Sequence, residues 1–223
     1  MITPVLDLKN GLAVAGKSGK RETYKPLKTV FTNSSDPLKI AEALKTAGYS
    51  ELYIADLDSI EGTGSNHEIV KKINKTIPVM LDAGITKHQD IEAVVDSAEK
   101  IIVATETLES MEEIGQIFSL NSKNSLVLSV DLVGGEVLSK NMKLNFEDVM
   151  GIIEKHNPAE VIILDVSRVG TNSGFDEAVV DRFKHTDTQL IVGGGVTKTT
   201  IKELGKLGVN KFLVGTAIHN GDL

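Results

Sequence analysis

Short apolar runs alternate with amphipathic stretches along the whole chain. The runs are TPVLDL, LYIADL, IPVML, IIVA, LVLSVDL, VIILDV, LIVG and KFLVG. They are short, rich in β-branched residues and largely unbroken by polar alternation. That pattern predicts strands buried on both faces, as in a parallel sheet. The stretches between them read as helices. Asp36-Pro37 opens one, with an N-cap followed by proline at the first helical position, and Gly48 closes it. A second spans about Ser110 to Phe118, and a third begins near Asn145 and stops before Asn157-Pro158. A fourth runs from Thr197 to Leu207 and ends at Gly208. Strict βαβα order implies parallel strands joined by right-handed crossovers. Eight such units predict a (β/α)8 barrel on the short side, with an open doubly wound sheet as the rival.

An internal repeat decides between the two. LYIADLDSIEGTGS (52–65) matches VIILDVSRVGTNSG (161–174), setting Asp56 against Asp165. VMLDAGITK matches IVGGGVTK, setting Asp82 against Gly193. KIIVATE matches KFLVGTA, setting Ala104 against Gly215, and LDLKNG matches VDLVGG, setting Asp7 against Asp131. The offsets are 109, 111, 111 and 124 positions, in the same order along the chain. Two four-strand halves suit a closed single (β/α)8 TIM barrel with two-fold internal repeat better than an open sheet. No linker or change of composition divides residues 1–223, so one domain is expected. Only TAIHNGDL follows the last strand, so the eighth helix is expected to be short or absent. Such a gap would expose apolar surface between the last and first outer helices, a candidate homo-oligomer contact.

Composition narrows the chemistry. The chain has no cysteine, which excludes disulfides, thiolate catalysis and cysteine–zinc sites, and fits a cytoplasmic protein. Its start, MITPVLDLKNG, lacks the pattern of a signal peptide, and no run is long enough to span a membrane. The net charge of −7 argues against nucleic-acid or anionic-membrane partners, so an anionic ligand must be held locally. His67, His88, His156, His185 and His219 show no i, i+3 or i, i+4 pairing and read as surface or structural residues, with no metal expected.

In this architecture function sits on the loops after the strand C-termini. Gly193-Gly194-Gly195, followed by a Thr197 N-cap, has the form of an anion-binding turn into a helix start. Gly215-Thr216, on the adjacent loop, would face it. The alternative is a merely tight turn. The first-half copy carries Asp82 in place of a glycine and Glu106 in place of Ala217. Carboxylates there disfavour phosphate. That turn either binds a hydroxyl, amine or cation, or Asp82 caps the following helix. KSGKRETYK (17–25) in the first loop is either a lid over a second anionic group or a solvated surface loop. Asp7 and Asp131 end apolar strands at symmetric places. They are candidate general base and general acid, with bonding to their own turns as the alternative. Asp56 and Asp165 form a second symmetric pair with more polar neighbours, and an Asp165–Arg168 contact is expected.

As an ordered set, LDLKNG, DLDSIEGTGS, DAGITK, SVDLVGGEV, SRVGTNSGFD, GGGV and VGTAI resemble the histidine-biosynthesis (βα)8 isomerase and cyclase family (HisA/HisF-like), from Ile2 to about Asn220. The resemblance implies an Amadori rearrangement of an aminoaldose ribonucleotide carrying two phosphates, or closure of an imidazole. It implies Asp7 and Asp131 as base and acid, phosphate contacts at Gly194, Gly195, Gly215 and Thr216, and no cofactor. Asp56, Asp82, Thr105, Glu106, Asp165, Ser167, Gly170 and Thr171 are candidate substrate contacts. The chain departs from the family pattern at Asp82, and at Ala15, Leu164 and Val169, where polar or basic residues are usual. The leading expectation is an isomerase of a phosphorylated sugar or nucleotide-like metabolite. The alternatives are a lyase or cyclase acting on a singly phosphorylated molecule, and a non-catalytic phosphate-ligand-binding barrel.

Overall fold

The computed structural model describes residues 1–17, 20–120, 125–184 and 186–223. His185 and the Ser18-Gly19 part of the first loop, both singled out above, lie outside the described residues. Eight parallel strands form the barrel: β1 (Ile2–Lys9), β2 (Leu52–Asp56), β3 (Val79–Asp82), β4 (Lys100–Ala104), β5 (Leu126–Val133), β6 (Glu160–Asp165), β7 (Gln189–Gly193) and β8 (Lys211–Val214). Each pairs with the next, and β8 pairs with β1 in the register Ile2↔Phe212, which closes the cylinder. The eight apolar runs are these eight strands.

A helix follows every strand: α1 (Pro37–Thr46), α2 (His67–Asn74), α3 (His88–Val94), α4 (Met111–Leu120), α5 (Phe146–His156), α6 (Glu177–Asp181), α7 (Lys198–Lys206) and α8 (Thr216–His219). The expected caps hold these ends. Asp36 accepts from the Leu38 N–H at 3.0 Å, and Thr197 accepts from the Thr200 N–H at 3.2 Å. Asn157, left-handed at φ 44°, ends α5 before Pro158. Among the described residues no helix is long and apolar enough to cross a membrane.

α8 is a single turn, as expected. The seam beside it is nevertheless largely covered by the segment before Asp36. Phe31 and Leu27 pack on the core there, and Phe31 meets the His219 ring edge-on at 6.4 Å. Val30, 62% exposed, is the large apolar side chain left outside. His219 ties this last turn to the barrel, with Nε2 2.9 Å from the Val5 carbonyl and Nδ1 3.0 Å from Thr29 Oγ1.

Alternation along the strands builds two cores. Leu6, Ile54, Leu81 and Val103 face the helices. Tyr53, Met80, Ile102, Val127, Ile162, Ile191 and Leu213 fill the barrel interior. The interior ends in an ion ring at the N-terminal ends of the strands. Lys211 Nζ lies 2.8 Å from Glu160 and 2.5 Å from Glu51, and Lys100 Nζ lies 2.6 Å and 3.0 Å from the same two residues. The ring obeys the repeat, because Glu51 and Glu160 are 109 positions apart and Lys100 and Lys211 are 111 apart. Burial pushes the Glu160 pKa up, but the hydrogen bonds from Lys100 and Lys211 outweigh it and leave the group below its ordinary range.

Three short antiparallel strands complete the sheet. Leu12–Ala15 folds back on β1 with Asp7 opposite Val14, Lys25–Pro26 pairs with it, and Glu136–Val137 folds back on β5. At two to four residues each they are too short to leave a periodic signal.

Candidate active site

The strand C-termini open on a cavity of about 400 Å³. Asp7 of β1, Tyr53 of β2, Asp82 of β3 and Asp131 of β5 line it, with Glu106 from the loop after β4. From the second half come Leu164, Gly170, Gly194, Gly195, Gly215 and Thr216. The structure therefore brings the two candidate catalytic aspartates and the four candidate phosphate-turn residues to one space.

The acid groups share one electrostatic neighbourhood. Burial pushes the Asp7 carboxyl up to about 7; the Arg21 guanidinium pulls it down and Asp82 pushes it up. Burial likewise raises Asp131 to about 7, with a further push from Asp82 and a pull down from its Ser129 hydrogen bond. That bond is 2.8 Å long, from Ser129 Oγ to Asp131 Oδ1, and Asp131 is 2% exposed. Asp82 is raised to about 6, first by burial, against the pull of the Gly84 N–H. Two carboxyls poised near neutrality in one cavity can divide the roles of proton acceptor and proton donor.

Asp82 does not cap the helix that follows it. α3 begins six residues later, and there Asp90 accepts the Thr86 and Lys87 N–H groups at 2.9 and 3.1 Å. Asp82 instead closes its own turn, accepting from the Gly84 N–H at 3.0 Å and from the Tyr53 hydroxyl at 3.2 Å. Glu106 sits between two cations, 3.5 Å from Arg21 Nη2 and 2.7 Å from Lys140 Nζ.

Other candidates serve the scaffold. Thr105 is fully buried, and its hydroxyl accepts the Asp131 N–H at 3.0 Å, so it holds the strand that carries Asp131. Asp56 is fully buried and accepts from the Ser59 hydroxyl and from the Asn66 backbone and side-chain nitrogens at 2.9, 2.6 and 2.7 Å. Asp165 accepts from the Ser167 hydroxyl at 2.5 Å and pairs with Arg168 Nε at 3.1 Å, the contact expected from the sequence. Thr171 donates to the Arg168 carbonyl at 2.7 Å. Thr105, Asp56, Asp165, Ser167 and Thr171 are absent from the cavity lining. Gly170 does line it, where a Cβ would stand 2.3 Å from the Gly16 carbonyl, so the first and sixth loops touch across the mouth.

Sequence reasoning missed Tyr53 and saw Arg21 only as one charge in a basic loop. A signal for Tyr53 existed: it takes the place that Ile162 holds in the second half, 109 positions on, so it is a polar exception on an apolar inner layer.

A family model described as "Histidine biosynthesis protein" matches residues 1–223. The chain belongs to this family. An uncharacterized protein of Methanocaldococcus jannaschii is 37% identical over 227 residues, covering 100% of this chain and 94% of the relative. Two relatives are named 1-(5-phosphoribosyl)-5-((5-phosphoribosylamino)methylideneamino) imidazole-4-carboxamide isomerase. That of Halothermothrix orenii is 28% identical over 237 residues, covering 100% of this chain and 95% of its own. That of Cenarchaeum symbiosum is 26% identical over 228 residues, covering 99% and 95%. The family match thus spans the full barrel. Leu164 lies opposite Gly193 in the β6–β7 register and packs over it.

Proposed function

We propose that this chain is an aldose–ketose isomerase of the histidine-biosynthesis type. It acts on a phosphorylated sugar or nucleotide-like N-glycosylamine through an Amadori rearrangement. The observation that carries the reading is the placement of Asp7 and Asp131 in one cavity, both raised to about 7. The reaction needs one proton delivered to the ring oxygen, which opens the sugar to an imine, and one proton removed from C2. Protonated Asp131 supplies the first, and ionised Asp7 removes the second. The resulting enolamine tautomerises to the aminoketose, so substrate and product have the same atoms. Gly194, Gly195, Gly215 and Thr216 hold the phosphate at the second-half end, which orients C2 toward the aspartates.

The test runs N-glycosylamines of ribose 5-phosphate, with and without a second phosphate, in D2O and follows C1 and C2 by NMR. The expected result is loss of the C2 proton and conversion to a ketose that carries deuterium at C1 with at least one of them, lost in Asp131→Asn by about 10³-fold or more. Folded wild-type protein that exchanges neither substrate overturns the reading.

A further inference from the structure

The two ends of the mouth are related by the repeat but differ in chemistry. In the second half, Leu164 lies opposite Gly193; in the first, the equivalent pair is Ala55 opposite Asp82. A Cβ on Gly193 would stand 3.0 Å from Leu164 Cδ1 and 3.2 Å from Leu213 Cβ, so a larger residue there would require both leucines to give way by a few tenths of an ångström. The small Ala55 opens the corresponding space in the first half, and the Asp82 carboxylate lines the cavity from it. An anion-binding turn works through its backbone N–H groups. Here the Gly84 N–H, counterpart of that of Gly195, is already bonded to Asp82 Oδ1 at 3.0 Å.

Glu106 completes the change. It stands where the second half has Ala217 and already faces both Arg21 and Lys140. A phosphate at this end would meet Asp82, Glu106 and Asp131 and would have to draw Arg21 and Lys140 away from Glu106. The Glu106 side chain is 13% exposed, so its charge would lose its partners with little water to replace them. The protein's own carboxylates thus occupy the first-half anion site.

Resting on the isomerase reading of this cavity, we propose that the substrate carries a single phosphate, seated on the second-half turns, and presents hydroxyl or ammonium donors to Asp82 at the opposite end. The class is a phosphomonoester of a polyhydroxylated or amino-bearing chain, not a bisphosphate.

The experiment counts phosphates. Inorganic phosphate is titrated into the full chain at pH 7.5 by calorimetry and 31P NMR. Wild type is compared with Asp82→Gly/Glu106→Ala and with the isosteric Asp82→Asn/Glu106→Gln. One phosphate per wild-type chain and a second in the Gly/Ala variant are expected. Ribose 5-phosphate should displace the wild-type phosphate at least about tenfold better than ribulose 1,5-bisphosphate, with a smaller preference in both variants. Two phosphates in wild type, or a wild type that favours the bisphosphate, overturns the proposal while leaving the isomerase reading standing. Variants that fold and keep the wild-type stoichiometry and preference overturn the role of the two carboxylates. No phosphate in wild type overturns this proposal together with the second-half cradle, and the D2O exchange experiment then decides the isomerase reading separately.

Discussion

The Arg21 guanidinium reaches across the mouth of the barrel to Glu106, 3.5 Å away, from a loop anchored on β1 to a loop that leaves β4. The same cation pulls the Asp7 carboxyl down against the effect of burial. Arg21→Ala therefore raises the Asp7 pKa above its present value of about 7. Asp7 must be ionised to take a proton, so the low-pH limb of kcat/KM moves upward, by about one unit. Profiles of both proteins check the direction; an unmoved limb would remove Arg21 from the field at Asp7.

Activity should peak near neutrality. Asp7 and Asp131 are both raised to about 7, and one must be ionised while the other is protonated. The pair titrates in two macroscopic steps, so kcat/KM falls about tenfold per unit on each outer limb.

The same groups cost stability. Asp131 binds its proton more tightly in the folded chain, at about 7, than at the ordinary value of 3.8. Its favourable contribution is complete below about pH 4 and is lost as the pH rises through 7. Asp131→Asn should abolish turnover yet unfold later than wild type at pH 8, by on the order of 4 kcal/mol, with little difference at pH 4. Denaturant melts at the two pH values check the sign.

Gly194 should be irreplaceable for a reason that separates backbone strain from packing. Its φ is +100°, and a Cβ would stand 2.3 Å from the Asp165 carbonyl oxygen. Gly208 has a similar φ of +94° with nothing within 4 Å. Gly208→Ala then costs about 1 kcal/mol from φ alone, and Gly194→Ala clearly more, together with phosphate binding. Equal losses would show that the clash relaxes.

At the floor, Lys211 is 1% exposed and faces both glutamates of the ring. Lys211→Met leaves the buried Glu160 and the half-buried Glu51 with Lys100 as their remaining ring partner and should cost about 3–5 kcal/mol. Adding Glu160→Gln should recover part of the loss, because it removes the unpaired charge. A double-mutant cycle in urea measures the coupling.

The barrel was legible because eight buried strands each leave an unbroken apolar run, and because the repeat fixes their order. Asp36, Asn145 and Thr197 announced their helices, since capping is local chemistry. The short helices α2, α3 and α6, of eight, seven and five residues, offered about two turns of periodicity or fewer. The site was half legible. Asp7 and Asp131 stood out as carboxylates ending apolar strands, and they line the cavity. Asp56 and Asp165 end strands in the same way, but Ser59, Asn66, Ser167 and Arg168 draw them into turns; Arg168 was foreseeable three residues on from Asp165, whereas the hold of Ser59 and Asn66 on Asp56 becomes visible only in three dimensions. The pairing of Arg21 and Lys140 with Glu106 joins three loops and has no sequence signature.

The pairs Ala55–Asp82 and Leu164–Gly193 have a consequence for how such a mouth can be altered. Within each pair one side chain's bulk is matched to its neighbour's lack of it. Enlarging Gly193 alone crowds Leu164, and shrinking Leu164 alone opens a void. The unit of change at this rim is two residues on adjacent strands. A lineage or an engineer moving from one ligand to another must take both steps together, or cross an unstable intermediate between them.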